Sequence, residues 1–268
     1  MPATLASLHI YPVKGLKGID LSEARVTERG LEHDRRFMVV DPEGEFFTQR
    51  EHPKMATIWT EIAGDELRLS APEFDEVAVA AKPAGGDAMT VRVWRSTCDA
   101  IAPSPAADRW LTEYLGDPCR LVYMPETTRR ATNPLYGGSD GAVSFADGYP
   151  FLVTSESSLA ELNSRMAVKL PMNRFRPNLV VSGTGAWEED AWGDFRVGEA
   201  SFRIAKPCGR CQVTTTDQST GEVRGPEPLA TLATFRDSEE FGVRFGMNAI
   251  ALATGTLRTG MPVTLATR

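Results

Sequence analysis

The residues best suited to chemistry lie in Pro207-Cys208-Gly209-Arg210-Cys211, which sets two thiols three positions apart. An apolar run ending at Lys206 precedes them and the β-branched Val213-Thr214-Thr215-Thr216 follows. Thiols at this spacing serve three purposes. They supply half of a zinc site. They form a redox-active dithiol, which ordinarily opens a helix, whereas this context is extended. Or one of them ligates a softer transition metal that takes its other ligands from a cofactor. Two buried thiols in a tight turn are the plain structural use. Zinc is short of partners, because only His9, His33 and His52 occur, none spaced as a ligand pair, and there is no second Cys-x-x-Cys. Cys98 and Cys119 read as small buried hydrophobes. Arg210 and Lys206 beside the pair favour the thiolate that a metal requires.

A second constellation is Asn173-Arg174-Phe175-Arg176-Pro177-Asn178, which leads into the apolar Leu179-Val180-Val181. The forked, permanently charged guanidinium suits a phosphate or another oxyanion, although either arginine alone is equally at home on an exposed strand edge. Lys14 and Gly15 sit in a glycine-bearing turn after an apolar strand, where backbone amides and a lysine can meet an anion. Arg35 and Arg36 open the next strand, and alternation should turn one of them inward, where it needs an anionic partner. A phosphate-binding P-loop, a Gly-x-Ser-x-Gly elbow and a dinucleotide fingerprint are all missing.

The chain of 268 residues carries a net charge of −7, which argues against a broad nucleic-acid or anionic-membrane surface but leaves room for one basic pocket. Its longest apolar runs, such as Phe151-Leu152-Val153, are far too short to span a bilayer. The start, Met1-Pro2-Ala3-Thr4-Leu5, lacks the basic and apolar segments of a signal peptide, so a cytoplasmic location is expected.

Short alternating runs separated by Gly, Pro, Asp and Asn dominate, which predicts an α+β, predominantly β fold. Strands are predicted over 5–13, 35–40, 45–49, 58–62, 66–70, 90–94 and 120–124, with turns at 41–44 and 64–65. Further strands are predicted over 178–182, 195–197, 200–205, 212–216, 249–254 and 262–266. Ser104-Pro105 caps a helix whose Trp110, Leu111, Tyr114 and Leu115 share a face and which ends at Gly116. Two more helices are predicted, one starting near Ser155 and one over 227–235. The division into a small N-terminal β-barrel-like domain and a second domain is expected between 1–122 and 123–268.

With Tyr11-Pro12-Val13-Lys14, Asp34-Arg35-Arg36-Phe37, Asn173 to Asn178 and Pro207 to Cys211 in this order, nearly the whole chain resembles the MOSC superfamily. The arrangement is that of the YcbX-like proteins and the mitochondrial amidoxime reducing component. The resemblance implies a MOSC β-barrel core with a few helices and a molybdenum–molybdopterin cofactor (Moco) whose metal takes one protein thiolate. Cys211 matches that position, and Cys208 is its neighbour. It implies a phosphate held by Lys14, Arg36, Arg176 and Asn178, together with the loop at Asp147, and Gly15, Arg174 and Arg210 stand beside these positions. Relatives often carry serine where Gly15 stands, so one hydroxyl contact is missing. The implied reaction removes oxygen from small N-hydroxylated compounds such as amidoximes and hydroxylamines. Some relatives carry a fused ferredoxin domain, but no cysteine follows Cys211 here. An external electron-transfer protein of ferredoxin, cytochrome b5 or flavin-reductase type is therefore expected. The other expectation is a cofactor-binding or sulfur-carrier module without turnover of its own.

Overall fold

The computed structural model describes residues 2–138 and 141–265. The chain begins with Thr4–Ile10 (β1), Val13–Lys14 (β2), Ile19–Leu21 (β3), Glu23–Thr27 (β4), Gly30–Leu31 (β5) and Phe37–Val40 (β6). It continues with Trp59–Ala63 (β7), Glu66–Ala71 (β8), Phe74–Ala80 (β9), Asp87–Val93 (β10) and Ser96–Ala102 (β11). Then come Pro105–Leu115 (α1), Arg120–Tyr123 (β12), Pro134–Gly137 (α2), Phe151–Ser155 (β13), Glu156–Ser164 (α3) and Leu179–Ser182 (β14). Asp194–Val197 (β15), Ala200–Gly209 (β16), Leu229–Ala233 (α4), Arg244–Ala253 (β17), Gly255–Arg258 (β18) and Val263–Leu265 (β19) complete it. Strand dominates, as the alternating patterning predicts.

One eight-stranded sheet runs β19-β15-β16-β17-β13-β14-β1-β3, and a five-stranded sheet runs β10-β11-β12-β6-β2. Two three-stranded sheets, β18-β4-β5 and β7-β8-β9, flank them. None of these sheets closes through a continuous ladder. The large one curls until Thr4 bridges Pro262, with Leu5 N donating to Met261 O at 2.9 Å and Val263 N to Ala3 O at 2.8 Å. The N-terminal strands β1 and β3 belong to this sheet and β4 pairs with β18, so these strands, unlike β2, are tied to the C-terminal half.

Side chains set these registers. In β1 an irregularity between Leu5 and Ser7 shifts the two-residue phase, which lets Leu5, Leu8 and Ile10 all reach the core. They pack with Phe151, Phe195 and Phe202 in one apolar cluster, while Val13, Leu16, Phe37, Leu111 and Tyr123 belong to another. The Ser104 hydroxyl accepts from Ala107 N at the start of α1, and Gly116 ends it at φ 85°.

Two predicted strands are something else. Residues 45–49 make only single bridges, Glu45 to Arg92 and Phe46 to Val40, before Thr48 and Gln49 turn along a cleft. Residues 212–216 form the 3-10 turn Gln212–Thr215, because the hydroxyls of Thr214 and Thr215 bond back to the carbonyls of Cys211 and Gln212, at 2.9 and 2.8 Å. The last predicted strand is β19, and Ala266 lies outside the described residues. Among the described residues no helix is long and apolar enough to cross a membrane.

Candidate functional site

Both thiols open onto one cleft, with a volume of about 170 Å³, formed where β16 ends against the loops after β2, β6 and β10. Irregular pairing between Pro207 and Gly209 frees the end of β16 from regular alternation, and Arg210 N then donates to Val243 O at 2.7 Å. Cys211 follows and is exposed at the cleft. Arg210 turns back: its Nη1 lies 2.9 Å from Cys208 Sγ and its Nη2 donates to Phe175 O at 2.7 Å. The charge expected beside Cys211 is thus spent on Cys208. Cys119 is buried in the cluster around Leu111 and Tyr123, and Cys98 packs beside Val91 and Val93. Among the described residues no group of three His, Cys, Asp or Glu side chains could hold a metal ion.

A cluster of cations lines the same cleft. Lys14 ends β2, which is held parallel to β6 by pairing of Val13 with Phe37 and Lys14 with Met38. Its ammonium is bonded to the Asp147 carboxylate, which also accepts from Trp94 Nε1 at 2.9 Å. Burial opposes charging Asp147, but the Lys14 ammonium and the Trp94 N–H outweigh it and hold the carboxyl well below the usual aspartate range. Asp147 still keeps 69% of its side-chain surface accessible from the cleft mouth. An ionised carboxylate repels phosphate, so the Asp147 side chain positions Lys14 and only its backbone suits an anion.

Gly15 lines the cleft at φ 84°, and a Cβ there would lie 2.8 Å from Met55 Cε. Glycine is the residue that this turn accepts without strain. Arg176 follows at φ 55°, donating Nη1 to Gln218 Oε1 (3.1 Å) and Nη2 to Leu16 O (2.7 Å). Desolvation, reinforced by the nearby Arg35, lowers the Arg176 pKa to about 10. Asn178 is buried, its amide donating to His9 O and its oxygen accepting from Leu152 N and Arg35 Nη1.

Of the pair that opens β6, Arg35 is the residue at the cleft. Its φ is 49°, a left-handed backbone, and the strand starts only at Phe37, so strand alternation does not govern where the pair points. Its Nη1 donates to Asp34 Oδ2 at 2.7 Å, and its guanidinium lies 4.4 Å from the centre of the Tyr11 ring. Arg36, expected at the phosphate, instead lines a second cavity and donates to Glu126 and to the Met124 carbonyl. Arg174 does not line the cleft either. It is buried, donating to Thr215 O (2.8 Å) and Asp217 Oδ2 (3.0 Å), and so fixes the turn after Cys211. Among the described residues six non-glycine residues have positive φ, and three of them, Arg35, Trp94 and Arg176, line this one cleft. Such strain collects where a site needs side chains in fixed places.

Two polar groups at the cleft have no partner among the described residues: Arg210 Nε and Tyr149 Oη. Burial also pushes the Tyr149 hydroxyl up to about 12. Lys14, Arg35 and Arg176 face two carboxylates, Asp34 and Asp147. The cleft thus combines surplus positive charge with an accessible thiol and has two buried, unsatisfied donors in its walls, which suits an anionic, metal-bearing organic group.

Residues 2–118 match the MOSC N-terminal beta barrel domain and residues 140–264 match the MOSC domain. The chain belongs to the family of proteins that join these two domains. It is 34% identical to the human mitochondrial amidoxime-reducing component 1, over 98% of this chain and 82% of that protein. It is 32% identical to the bovine mitochondrial amidoxime reducing component 2, over 97% of this chain and 82% of the relative. The solved structure of the YUAD protein from Bacillus subtilis covers 99% of this chain and 96% of its own, at 11% identity and a TM-score of 0.43.

Proposed function

We infer that this protein binds a molybdenum–pterin cofactor with Cys211 as its thiolate ligand and reduces small N-hydroxylated compounds. The observation that carries this reading is the placing of an exposed Cys211 in the same cleft as the partly buried cations Lys14, Arg35 and Arg176. The kinship with proteins named as amidoxime-reducing components supports the substrate class.

Each residue has a task in this reading. Arg35, Arg176 and Lys14 bind the cofactor's phosphate, with Asp147 and Asn178 holding Lys14 and Arg35 in place. Arg210 and Tyr149 offer their unpaired donors to its polar atoms. Cys211 completes the metal's coordination, while Cys208, engaged by Arg210, stays outside it. The stacked Arg50 and Trp94, 4.6 Å from guanidinium carbon to ring centre, form one wall of the entrance. When bound, the cofactor supplies a two-electron reduction in which the N–O bond breaks and, with two protons, the oxygen leaves as water. An external electron-transfer protein of ferredoxin, cytochrome b5 or flavin-reductase type supplies the electrons.

The test is to reduce the purified holoprotein chemically and offer it an aromatic amidoxime. Amidine should form, and Cys211→Ser should abolish turnover while leaving the circular dichroism spectrum unchanged. Full turnover by that variant removes Cys211 from the reaction. Labile sulfur on a metal-free protein would favour the carrier reading instead.

A further inference from the structure

A second cavity, of about 770 Å³, shares no lining residue with the thiol cleft. The two lie against the same pieces of chain. Arg35 and Ala146 face the thiol cleft, whereas their neighbours Arg36 and Ser144 face the second cavity. Phe145 N donates to Arg35 O at 2.9 Å and so laces these segments together.

Five positively charged side chains line the second cavity: Arg25, Arg29, Arg36, Lys82 and Arg129. Three carboxylates line it with them, and each is already engaged. Glu32 is held by Arg25 at 3.1 Å and Lys82 at 2.7 Å, Glu126 by Arg36 at 2.7 Å, and Glu28 by Arg129 at 3.7 Å. Arg29 donates to the backbone carbonyls of Pro125 and Glu126. Two positive charges therefore exceed the carboxylates, in a chain whose net charge is −7.

The inner wall carries donors with nothing to bond. Ser144 is 1% exposed and its hydroxyl has no partner among the described residues, nor has Arg36 Nε. Groups of this kind are costly to leave unsatisfied, and an anion's oxygens would satisfy both. Neighbouring charge points the same way. Burial, joined by Arg36, lowers the Arg29 pKa, and burial, joined by Lys82, Arg36 and Arg25, lowers that of His33. The buried side chains of Val26, Leu31 and Ala81 also line the cavity and give it an apolar part. A cavity of this volume lies in the range for metabolite-sized ligands.

We propose that this cavity binds a phosphate monoester of nucleoside monophosphate size, its phosphate among Arg36, Arg29 and Ser144 and its organic part against these apolar side chains. The site is independent of the thiol cleft, and it stands whether or not the cofactor reading holds.

Calorimetric titration of the complete protein with adenosine 5′-monophosphate tests this, with adenosine and inorganic phosphate as separate probes. The nucleotide should bind saturably at one site and more tightly than either fragment. The double variant Arg25→Glu, Lys82→Glu alters only exposed side chains and should weaken binding roughly tenfold or more. Ser144→Leu, which fills the inner wall, should abolish it, and Arg176→Gln should leave it unchanged. Absence of nucleotide binding to the unaltered protein overturns the proposal. So does adenosine binding as tightly as the nucleotide, or loss of binding in Arg176→Gln with retention in the double variant.

Discussion

Arg35 donates its Nη2 to the backbone carbonyl of Arg176 at 3.2 Å, joining residues 141 positions apart in the chain. Both guanidiniums also lie against the ring of Tyr11, at 4.4 and 4.2 Å from its centre. Like charges held this close are costly unless something anionic is near. Asp34, which is buried, is hydrogen-bonded to Arg35 and acts on Arg176 only through its field, so one carboxylate serves two guanidiniums. Burial raises the Tyr11 hydroxyl to about 12, so the ring stays neutral between them. The contact unites the N-terminal and C-terminal halves and leaves their joint charge facing the cleft.

Removing Arg35 should therefore cost both stability and cofactor. Arg35→Ala leaves Asp34 buried without its partner, a loss of about 3 kcal/mol. The melting temperature should fall by roughly 6–12 °C. Arg36→Ala breaks a pair with an exposed Glu126 and should cost much less. Thermal unfolding monitored by circular dichroism decides this, and equal losses in the two variants would contradict the assignment of Arg35 to the cleft.

Gly15→Ser introduces the hydroxyl that relatives often carry, yet it should destabilise this protein. The backbone at φ 84° disfavours any side chain by about 1–2 kcal/mol. The new Cβ also meets Met55 Cε. Denaturant titration should show a lower midpoint for Gly15→Ser, and the loss caused by Gly15→Ser should be smaller in a Met55→Ala background than in the unaltered protein.

Acid should reveal the Lys14–Asp147 pair. The folded-state pKa of Asp147 lies below its unfolded value. Its contribution is therefore complete above the unfolded pKa of about 3.9 and fades as pH falls towards the folded value. The stability difference between the unaltered protein and Asp147→Asn should be largest near neutrality and shrink below about pH 4. A difference that grows on acidification would reverse the sign of this account.

Cys208 and Cys211 should separate cleanly. Cys208→Ser keeps an acceptor for Arg210 Nη1 and should retain most of the molybdenum, whereas Cys211→Ser should lose turnover altogether. Elemental analysis and amidoxime turnover on the two variants check this, and equal losses would make the pair a joint ligand.

How much of this was legible in the sequence depended on the scale of the signal. The cap at Ser104, most of the alternating strands and the Cys-x-x-Cys segment are local patterns and are found where they were read. The strand β9 was missed because Phe74-Asp75-Glu76 opens it with charge, and β11 because Ser96-Thr97-Cys98-Asp99 is polar. Hairpin pairing with β8 and with β10 makes these segments strands, whatever their own composition. Residues 212–216 misled for the opposite reason: threonine suits a strand, but here its hydroxyls bond locally. At the site, lysine, glycine and cysteine were readable as types. The choice of Arg35 over Arg36 was not, because a left-handed backbone at Arg35 breaks the alternation on which that choice rested. Tyr149, Trp94 and Arg50 carried no local signal at all, since loops far apart in sequence bring them to the cleft.

The most direct measurement is X-ray absorption at the molybdenum edge on holoprotein and on a Cys211→Ser variant that retains cofactor. One sulfur scatterer fewer in the variant, with the remaining sulfur shell unchanged, is the result expected of a protein thiolate on the metal. An identical sulfur count in the two proteins would show that Cys211 does not ligate it.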